Sequence, residues 1–439
     1  MTKEQAQQLT AKALKLSKFP DCTARLTEEE VAYIRFANNG VTTSASTIER
    51  RLVITSVRDG KTGSSRTSDL SDEGVQAAIR RSEELAAIAP GNPEHMEPLG
   101  LQKYADYDNF DEATARARSP QMAPHVKSII DAAVAKKLTA AGFIQRTVST
   151  ASFANKRGNF GYQRSTDAGM TTTVRNADGT SSGWAGHPSV KLSEINGADL
   201  ATRAVDKCAR WTKPVRLDPG KYTVVLEPTA AGDLVAHFQG LLNARAADQG
   251  QSFLSRKGGG TLLGEKLFPE TITLRSDPFD RRYPTSLWSA TDLPSQSISW
   301  IEKGVVKNMA YDRYWASKSG KAPTPVADNL VLDGTDHSQA DLIKATKRGL
   351  LVTRFWYIRA VNMQTGQFTG LTRDGLFLIE DGQITQPVVN LRFTESVVRL
   401  LQNTTMLSRN VRTEGAEVGM ITPAIQANDF TFTSISDAV

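Results

Sequence analysis

The chain has 439 residues, 39% hydrophobic and 23% charged, with a formal net charge of +6. That length exceeds one ordinary core and predicts two or three domains, and no run reaches the roughly 18 apolar residues that a membrane helix needs. Basic residues never run beyond two together, as at Arg50–Arg51, Arg80–Arg81 and Arg281–Arg282, so the positive excess reads as a solvated surface and not as a nucleic-acid stripe.

Two cysteines, Cys22 and Cys208, make no disulfide framework. The opening MTKEQAQQLTAKALKLSKFP lacks the apolar core of a secretory signal, and a cytoplasmic location is expected.

Residues 2–16 have helical spacing, with Ala6, Leu9, Ala13 and Leu16 on one face. Residues 30–58 alternate polar and β-branched side chains, with turn signals at Asn39-Gly40 and Asp59-Gly60, and predict an antiparallel meander. The stretch from Asp69 to Asp72 caps a helix carrying Val75, Ala78, Ile79, Leu85 and Ile88 that stops before Pro90-Gly91. Residues 90–110, rich in Pro, Gly and acids, predict a linker. A helix is expected over 124–138, strands over 142–155, 159–162 and 170–175, and a further helix from about 197 to 210. In the last, VDKCARW predicts a buried thiol at Cys208.

Residues 222–226 have the β-branched and aromatic content of a short strand, which Pro228 and Thr229 break. A helix is expected over 233–242, from the spacing of Leu234, Phe238, Leu241 and Leu242. Further strands are expected over 271–274, 298–303, 305–311, 350–361, 368–373, 375–380 and 383–390, joined as hairpins at Lys303-Gly304, Asp374-Gly375 and Asp381-Gly382. The fold class is therefore α+β: N-terminal α/β layers with antiparallel strands, then a strand-rich antiparallel barrel-like or sandwich domain. The run from Arg256 to Gly260 lacks the P-loop pattern and reads as a surface loop.

Several long phrases carry a resemblance: RFANNGVTTSAST with TSDLSDEGVQAAIRRSEELA, KYTVVLEPTAAGDLVAHFQGLLN, WIEKGVVKNMAYDRYWA, RGLLVTRFWYIRAVN and TGLTRDGLFLIEDGQI. They are similar to the TldD/PmbA (TldD/TldE) family of peptidase-related proteins over nearly the whole chain. The resemblance implies an N-terminal α+β domain over 1–95, a middle α+β domain over 110–215 and a β-rich C-terminal domain over 218–439. Metal-bearing members of the family carry His-Glu-x-x-x-His on the helix after the first C-terminal strand. In that register Ala236 stands at the first His, His237 at the Glu and Leu241 at the last His. Residues 408–430 also hold no cysteine where those members carry a further ligand.

A catalytic zinc needs three protein ligands and an open position for water. No two of the five histidines lie within a helical turn of each other, and His237 by itself reads as a half-exposed helix residue. The resemblance thus implies the metal-free, TldE/PmbA-like branch. It implies a non-catalytic subunit without zinc of its own, paired with a zinc-bearing TldD-like partner that hydrolyses unfolded peptides, with no nucleic-acid or membrane partner. A stand-alone peptide-binding homodimer stays open, as does a hydrolase that uses another site, with Cys208 and His237 as nucleophile and base. Peptide contacts are expected from Arg354, Trp356, Tyr357 and Arg373. Period two puts Arg354, Trp356 and Ile358 on one face of their strand, and Phe355, Tyr357 and Arg359 on the other.

Overall fold

The computed structural model describes residues 1–414 and 419–436. Of the expected 218–439 domain and its cysteine-free tail, residues 415–418 and 437–439 lie outside the described residues.

After the helix Lys3–Leu16, the strands Asp21–Ala37, Gly40–Arg58 and Lys61–Thr67 form the expected meander. Its first turn sits one residue earlier than expected. Asn38 and Asn39 take φ values of 50° and 60°, the pair of left-handed residues that a two-residue hairpin requires, and Gly40 already belongs to the next strand. Asp21–Ala37 pairs on its other side with Thr139–Asn155, which leads on to Phe160–Arg175 and Ser182–Ser189. Strands from both sides of residues 90–110 thus share one six-stranded antiparallel sheet. The separate strands expected at 159–162 and 170–175 are one strand, with pairing unbroken from Ala154 and Phe160 to Thr139 and Arg175. Its polar middle does not break it, because alternate residues face an open cleft.

Alternation assigns the two faces of this sheet. Cys22, Ala24, Leu26, Ala32, Ile34 and Phe36 all lie on one face, buried under Lys3–Leu16, Asp72–Ile88, Ser119–Ala135 and Gly197–Arg210. The other face turns to the C-terminal half. Residues 90–110 strap the two together: Tyr104 packs edge-on against Phe153 at 5.0 Å, and its hydroxyl donates to the Asp292 carbonyl at 2.7 Å.

The C-terminal half holds a closed five-stranded barrel. Gly220–Leu226 pairs with Arg348–Asn362 and with Ile425–Ile435; Leu391–Ser396 and Gln367–Glu380 complete the ring back to Arg348–Asn362. Val224, Leu226, Leu350, Val352, Phe393 and Phe430 fill its interior, while Val225, Leu351, Phe377 and Ile379 form an outer cluster with Trp211 and Leu342. A second, mixed sheet of six short strands lies beside the barrel. In it, the strand expected over 305–311 is only Val305–Val306, and that expected over 271–274 is displaced to Leu274–Ser276.

Asp374-Gly375 is not a hairpin turn. Gln367–Glu380 runs through it, and the pairing steps from Val352 opposite Leu376 to Arg354 opposite Arg373, so one extra residue is accommodated there. Asp374 and Gly375, at φ 56° and 132°, form the resulting bulge. A Cβ on Gly375 would meet Thr353 Oγ1 at 2.6 Å. The turns at Lys303-Gly304 and Asp381-Gly382 are real, each with two positive φ values. No helix among the described residues is long and apolar enough to cross a membrane.

Candidate functional site

The barrel strand Gly220–Leu226 delivers the chain through Glu227 to the helix Pro228–Val235. Proline suits the first helical position, where its missing N–H would have had no intrahelical acceptor. The helix expected over 233–242 therefore starts five residues earlier, is interrupted at Ala236 and His237, and resumes as the short Phe238–Leu241. His237 N donates to Leu234 O at 3.2 Å and Gln239 N to Ala236 O at 3.4 Å, bonds three residues long that tighten the chain at this point.

Ala236 and Leu241 are each 3% exposed, and Leu241 belongs to the barrel core with Phe238. Neither offers a donor atom, so the positions do not fit a His-Glu-x-x-x-His centre. Among the described residues no three His, Cys, Asp or Glu side chains are grouped to hold an ion. His237 is half-buried and stacks on Phe368 with ring centroids 4.4 Å apart. Cys208 does not join it. That thiol is 1% exposed, donates to Ser181 O at 3.6 Å, and has its pKa pushed up by burial, which keeps it protonated.

Charged groups gather around the start of the helix. The Glu227 carboxylate accepts from Lys207 Nζ at 2.7 Å, and burial pushes the Lys207 amine below its ordinary pKa although Glu227 opposes this. Asp233, nearly two turns further, accepts from Phe355 N at 3.1 Å. Burial pushes its carboxyl up to about 7 against the pull of Arg354.

Arg354 and Arg373 face each other across paired strands and approach Asp374, itself 3% exposed, at 3.9 and 3.8 Å. Arg354 also lies 4.8 Å over the Trp184 ring, tying the barrel to the edge strand Ser182–Ser189, and Arg373 lies 4.3 Å over Trp356. Strict alternation fails at Tyr357, whose φ of 56° and the register shift beside it leave both Trp356 and Tyr357 exposed, at 44% and 55%, while Phe355 enters the barrel core. The four expected contact residues therefore meet on one hairpin, as a surface cluster.

A segment from the C-terminal tail closes the opposite side. Arg412 bonds Asp167 of the first sheet at 2.7 Å and lies 4.5 Å over the Tyr283 ring. Gly232 permits the close approach, since a Cβ there would meet Thr413 Oγ1 at 2.6 Å. Glu414 follows, its carboxyl pushed up to about 7 by burial.

Two cavities flank this wall, both in the size range of ligand pockets. One, of about 500 Å³, lies between Gly197–Arg210 and the outside of the barrel, with Lys207, Glu227, Pro228, Arg412 and Glu414 in its lining. The other, of about 660 Å³, lies over the open face of the first sheet, floored by Gln145, Thr147, Ser149 and Ser165 and reached by Gln239. Sequence reading passed over Lys207, Glu227, Asp233, Arg412 and Glu414. An acid directly before the helix-opening Pro228 was a usable signal for Glu227, but nothing local marks Lys207 as its partner.

The chain is thus a helix-covered sheet docked on a five-stranded barrel that carries this interrupted helix. Residues 22–86 match the family described as PmbA/TldA metallopeptidase domain 1, and residues 219–434 match the PmbA/TldA metallopeptidase C-terminal domain. The chain belongs to the TldD/PmbA family. It is 26% identical over 224 residues to a protein named metalloprotease from Methanothermobacter thermautotrophicus, an alignment that spans 47% of this chain and 46% of that relative, about half of each. The fold is shared with TldE from Thermococcus kodakarensis (TM-score 0.86, 19% identity, 97% of this chain and 99% of that one). A Bacteroides thetaiotaomicron protein is similar too (TM-score 0.84, 21% identity, 99% of each chain).

Proposed function

We propose that this chain is the peptide-holding, non-hydrolytic subunit of a cytoplasmic TldD/TldE-like proteolytic complex, whose zinc-bearing TldD-like partner performs hydrolysis. The observation that carries this reading is that Ala236 and Leu241 are apolar and buried; in the register expected from the sequence they stand where metal-bearing relatives would need imidazoles. The likeness to TldE supports the same branch.

Alternate residues of two neighbouring strands, Gln145, Thr147 and Ser149 beside Ser165, present amides and hydroxyls to the larger cavity. Such a floor can bond the backbone of an extended peptide without choosing its side chains. Trp356, Tyr357, Val361 and Met363, 44–55% exposed on one hairpin, offer an apolar surface for a partner chain. The same surface would serve a homodimer, and the stoichiometry of the purified species separates the two.

The test is to purify the chain from its own cell, identify what accompanies it, and assay an unfolded peptide with each component alone and with both. Cleavage is expected only when the TldD-like chain is present. Cleavage by this chain alone, at the rate of the pair, contradicts the proposal.

A further inference from the structure

We infer that the cavity of about 500 Å³ beside Gly197–Arg210 is a carboxylate pocket that takes the C-terminal residue of a peptide, the apolar side chain against the barrel and the α-carboxylate toward the arginines. This rests on the peptide-holding reading above and adds a polarity to it.

The two walls of the cavity differ in chemistry. Ile343, Leu351, Phe377 and Ile384 supply an apolar wall from the outside of the barrel and its flanking helix. Opposite, Arg203, Lys207 and Arg210 lie one turn apart along a single face of Gly197–Arg210, and Arg412 closes the end. Three carboxylates, Asp206, Glu227 and Glu414, also line the space.

Pairing decides the sign of what remains. Glu227 is bound to Lys207 at 2.7 Å, and Arg412 is bound to Asp167 at 2.7 Å. Burial raises the Glu414 carboxyl to about 7, so it carries only part of a charge at neutral pH. Arg203 reaches Asp199 only at 3.6 Å along the exposed helix surface, and Arg210 has no acceptor among the described residues. What is left is Arg210, with Arg203 held only at its outer side, facing Asp206 and a partly charged Glu414.

Two further features point to an anionic guest. Arg412, with a side chain 8% exposed, leaves its Nε without an acceptor. The helix Pro228–Val235 also begins at this cavity with no side-chain cap, because the Glu227 carboxylate is turned to Lys207, and its first turn presents the positive end of the helix dipole. A carboxylate on an apolar body satisfies both walls at once. A phosphate or a wholly apolar ligand would satisfy only one.

The test measures binding of a fluorescein-labelled hexapeptide ending in phenylalanine to the full chain by fluorescence polarisation, with the peptide as free acid and as C-terminal amide. The free acid is expected to bind at least tenfold more tightly. Arg210→Ala, combined with Arg203→Ala, is expected to reduce that difference severalfold, with Arg412 and the helix start accounting for what remains; both positions are exposed, so folding is not at stake. Unlabelled 3-phenylpropionate is expected to compete, but far more weakly than the peptide acid. Equal binding of acid and amide overturns the pocket while leaving peptide binding intact. Displacement by 3-phenylpropionate as effective as by the peptide acid makes it a small-acid site and overturns the peptide assignment. Failure of either form to bind overturns both this inference and the reading it rests on.

Discussion

Lys207 Nζ and the Glu227 carboxylate meet at 2.7 Å, with side chains only 15% and 9% exposed, where the helix-covered sheet docks on the barrel. Each is buried on the strength of the other. Removing one partner leaves the other buried without its counter-charge, which typically costs about 3–5 kcal/mol. Glu227→Ala is expected to destabilise by that order, whereas Lys207→Met with Glu227→Leu together are expected to be nearly neutral. Denaturant titration of the three variants checks this, and a double variant as unstable as the single one contradicts it.

Asp233 gives the chain a pH dependence of definite sign. Its carboxyl moves from an ordinary 3.8 to about 7 on folding, so the folded state holds the proton more tightly than the unfolded one. Its stabilising contribution is full below about pH 4 and is lost as pH rises through 7. Asp233→Asn, which can still accept from Phe355 N, is expected to raise Tm at pH 8 and to change it little at pH 4. The shift of about three units bounds the effect at about 4 kcal/mol. A Tm difference that is constant across this range contradicts the assignment.

The exposed hairpin is expected to carry association. Trp356→Glu with Tyr357→Glu replaces the two exposed rings, over which Arg373 and Arg359 lie, with carboxylates, and a dimer seen by light scattering is expected to dissociate while thermal stability stays within about 1 kcal/mol. Dimers that persist in this variant move the interface elsewhere.

Much of this fold was readable from residue order, and the failures share a cause. The helix Gly197–Arg210 and the turns at Asp59-Gly60, Lys303-Gly304 and Asp381-Gly382 are local, and the structure places them as expected. Asp374-Gly375 carries the same local signal as those turns but lies inside a strand, because pairing with Arg348–Asn362 continues on both sides of it and holds the chain extended. Tyr357 likewise departs from alternation through a bulge that only the partner strand reveals. The site was hidden for the same reason. Lys207 and Glu227 are 20 residues apart, and Asp167 and Arg412 are 245 apart, so no window on the sequence brings either pair together.

Rebuilding the lost motif tests the register directly. Ala236→His, His237→Glu and Leu241→His restore the ligand types, and the tightened turn at Ala236 and His237 departs from the ideal helix that would splay positions 236 and 241 apart. Leu241 is in the core, however, and an imidazole there is expected to lower stability by roughly 2–4 kcal/mol. Weak zinc binding by calorimetric titration is expected, without hydrolysis, since nothing is arranged to orient the new imidazoles. A titration identical to wild type removes the register.

The most direct test of a non-hydrolytic subunit is the zinc content of the chain, alone and in complex with its TldD-like partner, by elemental analysis after dialysis. The expected result is no stoichiometric zinc in the isolated chain and one zinc per heterodimer. Close to one zinc per isolated chain would contradict the account.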